Sequence, residues 1–223
     1  MKIAKKDIFI IMPAYNEEGR VGQVVKEANK TGLKIFVIDD GSDDKTADEA
    51  AKNKATVIRH ALNLGKGAAL KTGVEAAFMS GAKAIISMDA DGQHEAKHVA
   101  QFISALNKGN DIVFGSRTLA GHAPIVRYLG NKIGSFLVAI LFGIYRQDIL
   151  CGYLAFTKKA YKKIKWESSR YGLETELVAR TGKNKLKYTE IPIRTIYIDK
   201  YKGVSIIDAI NIFPSLFKWK YFK

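Results

Sequence analysis

With a single cysteine, Cys151, the chain can form neither an internal disulfide nor a multi-cysteine zinc site, which suits a reducing compartment. Long apolar runs are missing as well. The longest uncharged stretch, Ile133 to Tyr145, falls short of the ~20 residues that a membrane-spanning helix requires. The opening residues Met1 to Asp7 lack a leader pattern, because charge at Lys5, Lys6 and Asp7 interrupts it and Pro13 closes the apolar run that follows. The chain therefore reads as soluble or peripheral. No repeat, low-complexity tract or Pro/Gly-rich linker divides its 223 residues, so we expect one domain over 1–203 with an amphipathic C-terminal extension over 204–223. Acidic side chains are the scarce sign: 22 stand against 36 Lys and Arg, a net charge of +14. That imbalance points to polyanionic partners, whether nucleic acid, an anionic membrane surface or phosphorylated substrates.

What is present is alternation. Ile8 to Met12 is a continuous apolar run, as in a strand buried on both faces. Val21, Val24, Val25 and Ala28 follow at helical spacing. Leu33 to Ile38 predicts a second strand, Thr46 to Ala51 a short helix, and Thr56 to Ile58 a third strand. Gly65-Lys66-Gly67 opens an Ala-rich helix to about Ser80, Ala84 to Met88 is a fourth strand, and Val99 to Leu106 a further helix. Asp111 to Gly115 is a fifth strand. The pattern predicts an α/β fold with a mostly parallel central sheet and flanking helices. The second half shows a helix-like segment over 134–145 and an alternating strand from Leu186 to Tyr197.

Ligands of such sheets bind outside the carboxyl ends of the strands. Three of those ends are polar here: Pro13-Ala14-Tyr15-Asn16-Glu17, Asp39-Asp40-Gly41-Ser42-Asp43 and Asp89-Ala90-Asp91. Two carboxylates one residue apart repel each other, and a hard divalent cation such as Mg²⁺ or Mn²⁺ relieves that while leaving positions for water and substrate phosphate. Other motifs carry less. Gly65-Lys66-Gly67 is no P-loop, because Gly67 stands where Ser or Thr is required. His98, one turn after His94, reads as a solvated helix face, and Cys151 as a small packed side chain.

Taken in order, Pro13 to Glu18, Val37 to Thr46, Asn63-Leu64-Gly65-Lys66-Gly67 and Asp89 to His94 resemble the family 2 glycosyltransferases of GT-A (nucleotide-diphospho-sugar transferase) fold. Phe114-Gly115-Ser116-Arg117, Arg127 to Asn131 and Asp148 to Tyr153 are similar to the branch that makes dolichyl- or polyprenyl-phosphate hexoses. The likeness spans roughly residues 6–200, and departs from the family at Cys151-Gly152-Tyr153-Leu154, where Ser-Gly-Phe with a following basic residue is common.

The resemblance implies that Pro13, Ala14, Tyr15 and Glu17 hold base and ribose, that Asp39 or Asp40 contacts the nucleoside, and that Asp89 and Asp91 bind Mg²⁺ or Mn²⁺. Gln93 would sit beside the sugar and Lys66 approach the donor, GDP-mannose or UDP-glucose. Arg117 and Arg127 would present forked donors to a polyprenyl or dolichyl phosphate, whose attack inverts the anomeric carbon. A second reading makes the acceptor a glycan hydroxyl, with Glu174 or Glu176 as base. A third, from the charge alone, is a basic nucleic-acid binding protein; acidic strand ends argue against it, and we expect no nucleic acid partner.

The expected location is cytoplasmic, peripheral to the cytoplasmic face of a membrane, held by anionic lipid or a membrane partner protein. Phe136, Leu137, Ile140, Leu141 and Ile144 form one apolar face, with Arg127, Lys132 and Arg146 outside it. Residues 204–223, rich in Ile, Phe and Trp and bordered by lysines, are expected to contribute most, although Pro214 would kink or end a helix there.

Overall fold

In a computed structural model, residues 2–117, 125–170, 172–193 and 206–221 are described, those at 125–128 and 206–213 by backbone alone. Seven strands form one sheet: β1 (Ile8–Ala14), β2 (Lys34–Asp39), β3 (Thr56–Arg59), β4 (Ala84–Ser87), β5 (Ile112–Arg117), β6 (Leu154–Thr157) and β7 (Tyr188–Ile193). The order across the sheet is β3-β2-β1-β4-β6-β5-β7. Helices α1 (Val21–Asn29), α2 (Thr46–Lys52) and α4 (Val99–Asn107) contribute to one core layer. Helices α3 (Lys66–Met79), α5 (Ile125–Phe142), α6 (Lys158–Ile164), α7 (Leu173–Lys183) and α8 (Ile206–Tyr221) contribute to the other.

The two layers explain why β1 is apolar without interruption. Side chains alternate across a strand, so Phe9 and Ile11 enter one layer and Ile8, Ile10 and Met12 the other. Parallel pairing sets Ala14 of β1 opposite Asp39 of β2. On the other side β1 pairs with β4 up to Ile11 opposite Ser87, and Met88 N–H then donates to Ile11 O, leaving Asp89 at the rim. The polar strand ends thus meet at one edge.

Strand β6 was not anticipated. It runs antiparallel between β4 and β5, with Leu154 opposite both Ser87 and Phe114. That direction brings the segment before it, 148–153, back to the rim where β4 and β5 end. Two further expectations change. Arg146 does not flank an open apolar face: it is buried, donating to Glu190 Oε1 (2.9 Å) and Gly115 O (2.7 Å) and lying over the Phe114 ring. Pro214 does not end α8, which runs on to Tyr221 with Leu216 and Trp219 buried in the core. Anchoring of the turn beyond the proline outweighs the one backbone hydrogen bond that proline cannot make.

Candidate active site at the carboxyl rim of the sheet

The loops after β1 and β2 are fastened to each other. Asn16 N–H donates to Ser42 Oγ (3.0 Å), Glu17 N–H to Thr46 Oγ1 (2.8 Å) and Asp43 N–H to Asn16 Oδ1 (3.1 Å). Pro13 and Ala14 are buried at the end of β1, Glu17 is buried with its carboxylate toward Arg20, and Tyr15 stands exposed at the mouth.

The two aspartates that end β2 have separate tasks. Asp39 is fully buried; its Oδ1 accepts from Ser42 N–H (3.0 Å), while Oδ2 faces Arg59 Nε at 3.1 Å without completing a hydrogen bond. The hydrogen-bonding capacity of Oδ2 is therefore left unfilled by any described donor. Asp40 instead holds the turn before α3. Its Oδ1 accepts from Leu64 N–H (3.0 Å) and meets His60 Nδ1 (2.7 Å), and its Oδ2 accepts from Gly65 N–H (2.7 Å). His60 in turn reaches Thr72 Oγ1 at 3.0 Å.

Gly65 (φ +97°) permits the turn that makes Lys66 the first residue of α3, a backbone angle that L side chains rarely adopt. Lys66 Nζ lies 2.7 Å from Asp89 Oδ1 and 3.0 Å from Glu174 Oε1, at the start of α7. Both Lys66 and Asp89 keep part of their surface open, 37% and 23%, while protein crowds them on the remaining sides. Burial opposes both charges, yet the ion pair prevails. Asp89 and then Glu174 raise the Lys66 pKa, and Lys66 followed by His94 lowers that of Asp89. Gly152 adjoins the pair, for a Cβ there would come within 2.6 Å of Nζ and 3.1 Å of Asp89 Oδ2.

Asp91 accepts from Gln93 twice, backbone N–H to Oδ1 and amide Nε2 to Oδ2, both at 2.9 Å. Burial first, and the Asp89 charge second, raise its pKa above the usual carboxylate range. That repulsion is the strain a cation would relieve. Among the described residues no group of three or more His, Cys, Asp or Glu closes a metal cage. Two carboxylates with room for water and phosphate fit a hard divalent ion better than a structural zinc. Gln93 is engaged with Asp91, so it supports the carboxylate in this state.

His94 closes the motif that begins at Asp89. It is buried between Asp89, whose N–H donates to Nδ1 (3.1 Å), and the ring of Tyr153, which stacks on it at 4.8 Å. Burial brings its pKa down to about 4, so the imidazole is neutral and keeps Nδ1 as an acceptor. His98, expected to be solvated, is buried and paired with Gln101 Oε1 at 3.0 Å.

Arg117 does end its strand at the rim, but Asp148 engages its fork: Nε donates to Oδ2 (2.6 Å) and Nη2 to Oδ1 (3.0 Å). Asp148 is fully buried, and although burial opposes its charge, Arg117 holds its pKa below the usual range. Nothing in the sequence joins residues 31 apart in this way except the quoted motif around each. The side chain of Arg127 lies outside the described residues. Of the two glutamates considered as a base, Glu174 is paired with Lys66. Glu176 is fully buried, accepting from Glu167 N–H, Ser168 N–H, Ser168 Oγ and Arg180 Nε.

A family model described as glycosyl transferase family 2 matches residues 9–165. The UDP-N-acetylglucosamine–dolichyl-phosphate N-acetylglucosaminyltransferase of Methanococcus voltae is 33% identical over 98% of this chain and 98% of its own. The polyprenol monophosphomannose synthase of Mycolicibacterium smegmatis is 29% identical over 94% of this chain and 84% of its own. Among solved structures, the chain is similar to glucosyl-3-phosphoglycerate synthase of Mycobacterium tuberculosis in complex with Mn²⁺, uridine diphosphate and glucosyl-3-phosphoglycerate. There the TM-score is 0.75 at 18% identity, covering 96% of this chain and 80% of that one. The expected GT-A fold is the one present.

Proposed function

The chain belongs to glycosyl transferase family 2, and from that premise we propose that it moves a hexose from a nucleotide sugar to the phosphate of a polyprenyl or dolichyl chain. The observation that carries the choice of acceptor is the engagement of both candidate bases. A glycan hydroxyl must lose a proton as it attacks, and a positioned carboxylate has to take it. Glu176 is buried under four donated hydrogen bonds, and Glu174 is paired with Lys66. A lipid phosphate is anionic at neutral pH and needs no base.

In this reading a phosphate oxygen of the acceptor forms a bond to the anomeric carbon. The bond to the nucleotide diphosphate breaks on the opposite face, the electron pair leaves with the diphosphate, and the configuration inverts. Asp39 and the loops after β1 and β2 orient the nucleoside, and Asp89 and Asp91 would hold Mg²⁺ or Mn²⁺. That ion, when bound, would neutralise charge on the departing diphosphate. Arg117 is held at the rim by Asp148, and its acceptor role in this reading requires that the lipid phosphate share its guanidinium with that carboxylate.

No described helix is long and apolar enough to cross a membrane. We place the protein against a membrane surface through α5, where Leu129, Ile133, Phe136 and Ile140 are each more than half exposed and follow one another at helical spacing. The apolar face foreseen there divides: Leu137, Leu141 and Ile144 pack inward, and Phe136 and Ile140 face out.

The test offers radiolabelled GDP-mannose, UDP-glucose and UDP-N-acetylglucosamine with dolichyl phosphate and Mg²⁺ or Mn²⁺, scored by extraction into organic solvent. Label in the organic phase from one donor supports the reading. Label only on an added glycan would select the hydroxyl-acceptor alternative.

A further inference from the structure

Asp89 already has a cation. The root of Lys66 is fixed on both sides of the turn: Asp40 binds Leu64 and Gly65 before it, and Ser169 O accepts from Gly67 N–H (2.7 Å) and Ala68 N–H (3.2 Å) after it. Trp166 Nε1 donates to Gly67 O at 2.9 Å and closes the same turn. From that fixed root a flexible four-carbon stem carries the ammonium to Asp89 Oδ1, with Glu174 as its second anchor. Gly152 leaves the ammonium room beside Asp89, since a Cβ there would lie 2.6 Å from Nζ and displace it.

An ammonium 2.7 Å from Asp89 Oδ1 and a divalent ion ligated by the same carboxylate compete for its one negative charge. Glu174 keeps one contact to the ammonium when it leaves Asp89, and an incoming diphosphate supplies the second anion in place of the carboxylate it gives up. We propose that Lys66 is a resident counter-ion which holds Asp89 in the substrate-free protein and releases it to the divalent cation when a nucleoside diphosphate arrives to accept the ammonium. Metal and nucleotide then load as a coupled pair, and the bare metal is excluded. The inference rests on the donor-site reading above and adds the order in which that site fills.

The experiment uses the full chain and measures binding, not turnover. Mn²⁺ affinity is read from the free-ion electron paramagnetic resonance signal without nucleotide, and UDP and GDP affinities by calorimetry with Mn²⁺ present. In Lys66→Met and Lys66→Gln, Mn²⁺ alone should bind at least tenfold more tightly than in wild type, while the preferred nucleotide should bind at least tenfold more weakly. Lys30→Gln, which removes one positive charge paired with Glu27 on α1, should change neither. Opposite signs in the two arms are the signature, since a merely structural role would weaken both. Lys66→Gln keeps a polar, uncharged end one atom shorter should Lys66→Met fail to fold, and thermal melts check both. Unchanged or weaker Mn²⁺ binding in a folded Lys66 variant overturns the inference. If wild type itself binds no nucleotide with Mn²⁺, the donor-site reading falls instead.

Discussion

Asp89 and Asp91 lie two residues apart and meet opposite environments. Lys66 favours charge on Asp89, whereas burial and the Asp89 charge oppose it on Asp91. If both ligate the ion that neutralises the leaving diphosphate, Asp89→Ala and Asp91→Ala should each lower transfer by about a thousandfold, the scale of several kcal/mol of lost charge stabilisation. Near-wild-type turnover in either would remove the metal assignment. Arg117 calls for a different expectation from a free phosphate clamp. Arg117→Ala strands the buried Asp148 carboxylate, so we expect a loss of about 3–5 kcal/mol in stability by denaturant titration. A variant of unchanged stability that fails only with lipid phosphate would return Arg117 to the acceptor role. These partnerships explain what was legible. The order of polar strand ends in the sequence was enough to set Asp39, Lys66, Asp89 and Arg117 at one rim. That Asp40 serves the 63–66 turn and Arg117 faces Asp148 depends on pairings 25 and 31 residues apart, which no local spacing encodes.

Elements were readable where periodicity ran long enough. The uninterrupted β1 and the apolar stripes of α1 and α4 matched their expected places, because both sheet faces are covered. Strand β6 is only four residues, Leu154–Thr157, and its antiparallel place between β4 and β5 is a tertiary choice. Its insertion also explains why Cys151 and Gly152 sit beside β5, where Gly115 N–H donates to Tyr153 O at 2.7 Å. Burial there pushes the Cys151 thiol up to about 12. A thiol held neutral when folded stabilises fully below its unfolded pKa of about 8.5, and that contribution drains away as pH rises toward 12. Wild type should therefore lose stability between about pH 8.5 and 10 more steeply than Cys151→Ala. Parallel slopes in urea titrations across that window would contradict this burial effect.

At the scale of the molecule, the proposed membrane contact would draw on both the surplus of positive charge and the open face of α5. Charge attracts an anionic surface over roughly a Debye length, about 8 Å at physiological salt, and apolar side chains hold the protein once it arrives. Flotation with liposomes should therefore rise with the fraction of anionic lipid and fall with added salt. The C-terminal extension cannot be tested by removing it, because Leu216 and Trp219 belong to the core and Lys183 Nζ donates to Trp219 O at 2.7 Å. Substitution separates the two surfaces without cutting into the core. Phe136→Glu with Ile140→Glu alters the exposed face of α5, and Phe217→Ser with Tyr221→Ser alters the exposed side of α8. Insertion of a large apolar side chain stabilises by up to about 1.5–3 kcal/mol, so the α5 pair should lower membrane partitioning by at least about tenfold even if burial is partial. The α8 pair should lower it less, since Phe136 and Ile140 lie within an exposed stripe with Leu129 and Ile133, whereas Phe217 and Tyr221 join no such stripe among the described residues. A larger loss from the α8 pair would move the membrane contact to the C-terminal helix, and flotation of neither wild type nor variants at any lipid composition would leave both faces for a protein partner.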